Sequence, residues 1–540
     1  MNRIVESSAK SSLNIRPSTF FSRMFRRNAS TTHELDATKG DRERVVILGS
    51  GWSGFVLARQ LDTKKFQPVV VSPRSYFAFT PLLASTAVGT LEFRTTLESV
   101  RARRTGVEFY QGWADDVNFN EKRLIIEEAA RRPTGPAGSN MIPAVEQGEK
   151  ALATKKKKGQ LFDLSYDKLV VAVGCYSQTF GTPGVRENAF FLKDVTDAIK
   201  IRRRILECFE TAVLPTTSPE LKAALLNFAI VGGGPTGIEF AAELFDLCKE
   251  DLVKVYPALI PHVKITIYDV APKILPMFDS KLADYALKLF DRDGIKIKTE
   301  HHIQNLQPGL PGNPANSGGC YTLKTKEEGE FGVGMCVWST GLMMNPFIQR
   351  ALDDVHIYPT RSAKISASES TDPASTQWSL KRSPRNGGLM VDDKFRVKLV
   401  PRDSIASAST SKSKSPDTPT PEATMHDVFA LGDVSVLETV QLPATAQVAS
   451  QEAKWLGKAL NRGLTDDTRG FKYSDMGVLT YVGGMKAIMQ GKGGTEIKGR
   501  TAWLIWRGAY LTKTISWRNK LLIPIYWAIN WCFGRDISRF

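Results

Sequence analysis

Acidic side chains are scarce at both ends of this 540-residue chain, and that scarcity accounts for most of its charge. Residues 1–32 carry six Lys or Arg against the single acid Glu6, and residues 500–540 carry seven against Asp536. The two ends therefore hold eleven of the sixteen excess positive charges. No reading motif accompanies them, which argues against a nucleic-acid binder. Cysteine is sparse too. Its six residues, irregularly spaced, form neither a disulfide framework nor a zinc pattern, so a reducing compartment is expected. No apolar run reaches 18 residues, and no transmembrane helix is predicted. No D-x-[DN]-x-[DN]-G-x5-E loop occurs, which excludes EF-hand calcium binding, and no metal site is expected.

Glycine, by contrast, is present in a pattern. Gly49-Ser-Gly51-Trp-Ser-Gly54 follows the apolar run Val45 to Leu48, and Gly232-Gly-Gly234-Pro-Thr-Gly237 follows Phe228 to Val231. Each reads as strand, tight turn and helix start, the arrangement that turns backbone N–H groups and a helix N-terminus towards a pyrophosphate. One such motif is weak evidence. Two imply a chain that holds two dinucleotides and passes electrons between them. In the second unit Asp269 stands at the end of the next strand, where a carboxylate binds ribose hydroxyls and repels a 2′-phosphate; it favours NADH. The first unit has Ser72 there, followed by Pro73 and Arg74, so its dinucleotide stays open at this point.

Between these landmarks the chain divides into expected segments. Residues 1–40 are rich in Ser, Thr and Arg and read as a mitochondrial transit peptide or a disordered basic tail. Residues 41–225 form the first dinucleotide unit, with 127–160 as a Pro/Gly-rich loop insertion. Residues 226–345 form the second. A connection over 346–425 contains Ser/Thr/Pro/Lys-rich flanks around an apolar island at Leu389 to Val400, read as inserted disorder. Residues 426–470 read as strand, Gly-Asp turn and helix, and 471–540 form a C-terminal region. Five of the ten tryptophans lie in the last 40 residues among the basic ones, a mixture suited to an amphipathic hairpin in a lipid headgroup layer, or to a dimer seam. Pro524 and Asn530 are expected to interrupt its second apolar run, Leu521 to Phe533.

Several ordered motifs go further: Ser72-Pro-Arg-Ser-Tyr-Phe77, Phe79-Thr-Pro-Leu-Leu83, the second glycine loop with Glu239, Ala430-Leu-Gly-Asp433, and Leu442-Pro-Ala-Thr-Ala-Gln-Val-Ala449. Together they resemble the type II, non-proton-pumping NADH:quinone oxidoreductases of fungal and plant mitochondria. The resemblance implies an α/β fold of two Rossmann-like domains of the glutathione-reductase type plus a membrane-associating helical region. It also implies FAD on the first unit, held by Gly49, Gly51, Gly54, Ser72, Arg74, Thr80, Pro81, Gly174, Gly432 and Asp433. NADH would occupy Gly232, Gly234, Gly237, Asp269 and Gly341, with Glu239 near the nicotinamide end. Glu239 also reads as a first-turn acid stabilised by the helix dipole. On the acceptor side the resemblance assigns Gln447 and Lys486 to ubiquinone, with Ser450 where close fungal relatives carry histidine. Gln447 reads equally as a helix-capping or packing residue.

Hydride transfer between stacked rings asks little of side chains, so no catalytic triad is expected. Disulfide reductases place a cysteine pair soon after the first unit. Here the first cysteine is Cys175, which with Cys336 reads as a packed core thiol. The expected activity is NADH:ubiquinone oxidation at the mitochondrial inner membrane, peripheral and matrix-facing. A sulfide:quinone oxidoreductase and a redox flavoprotein of the apoptosis-inducing-factor type are the alternatives.

Overall fold

The structure, a computed structural model, describes residues 32–101, 106–129, 159–313, 318–351, 363–365, 378–402 and 422–538. Most of the expected transit peptide, the lysine run 155–158 and much of the Ser/Pro-rich connection lie outside these. Strand β1 (Glu43–Leu48), helix α1 (Trp52–Gln60) and strand β2 (Phe66–Ser72) form the first βαβ unit, and β3 (Glu108–Asn118) and β4 (Lys168–Val171) extend its sheet. Strand β5 (Asn227–Val231), helix α2 (Pro235–Leu247) and strand β6 (Lys264–Tyr268) repeat the unit, with β7 (Met335–Trp338) beside β5. The chain then returns to the first sheet through β8 (Ala423–Ala430) and α3 (Ala446–Arg462), and ends in α4 (Arg500–Lys513) and α5 (Trp517–Phe533).

The first sheet has the parallel order β8, β4, β1, β2, β3. Such a sheet is covered on both faces, which is why β2 is buried at every position and β1 at all but its first. The second sheet is parallel throughout: Phe190–Phe191, β7, β5, β6 and Lys296–Lys298. Two expectations need correction here. The insertion expected over 127–160 begins later, because the antiparallel strand Arg123–Glu128 continues to Glu128 and pairs with Leu161–Ser165. The expected inserted disorder of the connection also contains sheet: Trp378–Leu380 and Ala363–Ile365 both join it, and Trp378 is fully buried. A buried indole stabilises those short strands against their polar flanks.

Helix α3 packs against α1. Asn461 of α3 accepts from the Asp62 N–H at 2.9 Å and donates to the Gln60 carbonyl at 2.9 Å, so a residue some 400 positions away ends the first helix. In the C-terminal region, the hairpin Val478–Tyr481/Ala487–Gln490 precedes α4 and α5. Arg507 of α4 lies 4.2 Å from the ring centre of Trp503 and 4.4 Å from that of Trp527 on α5, which clamps the two helices together. Helix α5 runs through both Pro524 and Asn530, the residues that interrupt the apolar run. Its ends are fastened from outside: Ser516 caps it, Asn519 donates to the Leu97 carbonyl at 3.0 Å, and Asn530 donates to the Thr90 carbonyl at 2.7 Å. These anchors offset the hydrogen bond that a proline removes. No helix among the described residues is long and apolar enough to cross a membrane.

Candidate functional site

The two glycine turns are built alike. Gly49 and Gly232 take φ of +111° and +117°, a conformation that L side chains rarely adopt. A Cβ on Gly54 would lie 2.0 Å from the Gly49 carbonyl oxygen, and one on Gly237 2.0 Å from that of Gly232. Only hydrogen fits where helix closes on strand. The middle glycines differ: Gly51 and Gly234 face open space at the starts of α1 and α2. That space lets a pyrophosphate approach the backbone, so both turns fit a dinucleotide.

A cavity of ≈ 670 Å³ joins the units. It takes in Gly49, Gly51, Thr80, Pro81 and Gly174 of the first unit, Gly341 and Glu239 of the second, and Tyr510 of α4. Thr80 is oriented by the Trp52 indole N–H at 3.0 Å. Ser72 is buried, its hydroxyl 2.9 Å from that of Ser50. Arg74 also faces the cavity and is held by Asp194, whose Oδ2 lies 2.9 Å from Nη1 and accepts from Tyr76 at 3.1 Å. Asp194 simultaneously caps the helix Val195–Ala212 through a capping box.

The Gly432-Asp433 turn reaches the same cavity because β8 lies beside β4 and α3 beside α1. Glu452 on α3 supports it, Oε2 accepting from the Gly432 N–H at 2.6 Å, and burial raises this carboxyl to about 7. Asp433 accepts from the Cys175 thiol at 3.0 Å, and Lys193 donates to the same sulfur at 3.1 Å. Cys175 is thus half-buried at the cavity wall and not in the core; Cys336 is the core thiol. All six cysteines are free, and only Cys175 lines the cavity.

Glu239 is 8% exposed, and its surroundings come from the far end of the chain. Oε1 accepts from the Tyr481 backbone N–H at 3.1 Å and lies 3.4 Å from the Trp506 indole nitrogen. Burial pushes its carboxyl up to about 8; the two donors oppose that and Glu243 adds to it. Tyr510, 5.1 Å from Trp506 and 6.3 Å from Phe79 between ring centres, completes this wall. Among the remaining expected site residues, Asp269 ties the second glycine turn to its own loop, accepting from the Gly233 N–H at 2.5 Å and the Ala271 N–H at 2.8 Å. Gln447 accepts from the Tyr473 hydroxyl and from Met476 N–H at 3.3 Å, and donates to the Gly477 carbonyl at 3.3 Å, tying α3 to the segment before the hairpin. Lys486 sits in the hairpin turn, away from the cavity wall. Sequence reasoning missed Tyr510 and Trp506 as parts of the site. Their only signal was a tryptophan-rich tail, which reads first as a membrane surface.

Comparison with known proteins agrees with this geometry. Residues 43–357 match the family model of pyridine nucleotide-disulphide oxidoreductases, and 476–536 match that of the NDH2 C-terminal domain. A probable NADH dehydrogenase of Dictyostelium discoideum is 32% identical over 504 residues, spanning 93% of this chain and 92% of that protein. The mitochondrial external alternative NAD(P)H-ubiquinone oxidoreductase B1 of Solanum tuberosum is 32% identical over 564 residues, 94% of this chain and 92% of its own length. The chain belongs to the alternative NAD(P)H-ubiquinone oxidoreductases. Among solved structures, NDH2 from Plasmodium falciparum in complex with NADH superposes with a TM-score of 0.70 at 22% identity, covering 92% of this chain and all of that one. The sulfide:quinone oxidoreductase of Aquifex aeolicus shares the fold at a TM-score of 0.56 and 14% identity, over 92% of this chain and 96% of that one. In this alternative oxidoreductase no second cysteine joins Cys175 at the cavity wall.

Proposed function

We infer that the protein is a non-electrogenic NADH:ubiquinone oxidoreductase: NADH reduces FAD, and the electron pair then reduces ubiquinone. The observation that carries this reading is one cavity lined by the first glycine turn, by Pro235, Thr236 and Glu239 of the second unit, and by Tyr510 of α4. FAD, when bound, supplies the two-electron chemistry. The chain supplies the rest. Gly51 and the start of α1 receive one pyrophosphate, Asp433 binds the flavin's sugar chain, and Gly234 with α2 receives the other dinucleotide. Asp269 closes the second turn and carries the preference for NADH. Glu239, protonated below about pH 8, holds a proton at the cavity. Gln447 and Lys486 belong to the acceptor side, where Gln447 shapes the entrance through the 473–477 segment.

The protein acts peripherally at the mitochondrial inner membrane, on its matrix side, with the C-terminal helices against lipid. What supports the lipid contact is the orientation of α5. Its anchors Asn519 and Asn530 face the protein, whereas Trp517, Leu521, Ile525, Ile529 and Phe533 lie four residues apart and are exposed. A homodimer seam is the competing occupant of that stripe.

The purified holoprotein tests the reading directly. NADH is expected to bleach the flavin absorbance and a short-chain ubiquinone to restore it. A flavin that sulfide bleaches and NADH leaves oxidised would overturn it in favour of sulfide:quinone chemistry.

A further inference from the structure

Both polar groups of the Gly432 backbone are held by side chains. Its N–H donates to Glu452 Oε2 at 2.6 Å, and its carbonyl accepts from the Ser435 hydroxyl at 2.9 Å. Gly432 takes a φ of +73°, a left-handed conformation that suits glycine. It is wedged between two helices: a Cβ there would lie 2.5 Å from Ser53 Oγ of α1 and 3.5 Å from the Ala449 Cβ of α3. The next residue, Asp433, lines the cavity. Glu452 and Ser435 thus hold the peptide units on either side of the Gly432 Cα, and those units fix where Asp433 begins.

A glutamate is a costly choice for this place. Glu452 is 3% exposed, and the charged group bearing on it among the described residues is Asp433, another acid. Burial raises its carboxyl to about 7; the Gly432 N–H opposes that and Asp433 adds to it. A buried carboxyl without a cation is disfavoured, and an apolar side chain would fill the same space between α3 and the turn. What an apolar side chain lacks is an acceptor for the Gly432 N–H.

We propose that Glu452 is a positioning residue of the flavin site: through the Gly432 N–H it sets the Asp433 carboxylate in place for the flavin's sugar chain. The proposal rests on the assignment of FAD to the first unit. Glu452 does not itself line the cavity, so its effect passes through the turn. The role needs an acceptor rather than a charge. Glutamine can therefore replace this glutamate, and methionine, similar in length but apolar, cannot.

Release of FAD from the holoenzymes, read as recovery of flavin fluorescence on dilution, tests the assignment. Glu452→Met is expected to release FAD at least about tenfold faster than wild type, the loss of a charge-assisted bond. Glu452→Gln, which keeps an acceptor, is expected to stay within about threefold of wild type. Flavin still bound to Glu452→Met should show altered visible circular dichroism, because its sugar chain has lost a fixed contact. A double-mutant cycle with Asp433→Ala asks whether the effect passes through Asp433. Adding Glu452→Met to Asp433→Ala should speed release no further.

Wild-type retention of FAD by Glu452→Met overturns the proposal, and so does equal loss from the Met and Gln variants. Effects that multiply in the double variant overturn it too, since they mark a packing role of α3 independent of Asp433. Should Glu452→Met purify without FAD, Glu452→Asp serves instead: it keeps the charge but is one methylene too short for the N–H, and the same outcomes decide. An Asp433→Ala variant that holds FAD as wild type does sinks the earlier placement of the flavin's sugar chain, whatever Glu452→Met does.

Discussion

Glu239 shows how far burial can change a side chain that looks ordinary in sequence. Read in sequence as a first-turn acid, charged and stabilised by the helix dipole, it stands instead in the second turn of α2, which begins at Pro235. Here the Tyr481–Trp506 wall removes it from water and raises it to about 8. At neutral pH it holds a proton it can give. Quinone reduction should therefore slow as pH rises through about 8, and Glu239→Gln should lower the rate about 100-fold while flattening that profile. Steady-state rates from pH 6 to 9 decide it; an unaltered profile would remove Glu239 from proton delivery. Stability moves in the same pH window. Between the ordinary carboxyl range near pH 4.5 and about 8, the folded chain holds this proton and the unfolded chain releases it, so stability falls as pH rises. Glu239→Gln removes that dependence, and its Tm advantage over wild type should grow across the same interval.

At the scale of elements, α5 inverts the usual amphipathic arrangement. Its asparagines point into the protein beside the buried Ile523, while five large apolar side chains point out, with Trp517 78% and Phe533 87% exposed. Five such residues at four-residue intervals form a continuous stripe, and a stripe of this size on a folded surface marks a lipid or protein contact. Replacing Trp517, Leu521 and Ile525 together with serine should abolish sedimentation with vesicles containing anionic lipid. Because these side chains contact little of the protein, flavin content and reduction by NADH should persist. If vesicle binding survives and the protein instead changes from dimer to monomer, the stripe is a subunit seam.

The whole molecule is held by its last residues. Arg535 is 9% exposed in its side chain and bonds Asp251 at 2.7 Å, Glu250 at 2.9 Å and Thr90 at 2.9 Å. It thereby ties the C-terminal tail to both dinucleotide units. Arg535→Ala leaves the buried Asp251 with only Lys254 at 3.9 Å as an ion-pair partner, a defect of up to about 3–5 kcal/mol in comparable cases. The expected consequence is release of α5: faster cleavage after α4 in limited proteolysis, with Arg535→Lys giving little protection because a point charge cannot replace the guanidinium fork. Equal protease resistance in wild type and Arg535→Ala would refute this role.

The residues of each glycine turn are contiguous, and their chemistry depends on a hydrogen atom at three positions and an apolar strand before them. The two dinucleotide units and the helix starting at Asp194 were therefore legible in the chain itself, whereas the return through Gly432-Asp433 followed only from resemblance to a family. The pairing of Trp378–Leu380 with the sheet was not, because one buried indole outweighed a polar composition. Nor was the position of Cys175, whose neighbours Lys193 and Asp433 come from segments 18 and 258 residues away. Local pattern decided that two dinucleotides meet in this protein. Only the tertiary structure decided which acids are kept from water there and which side of the last helix faces out, because desolvation is set by whatever the fold packs against a group, and here that is the far end of the chain.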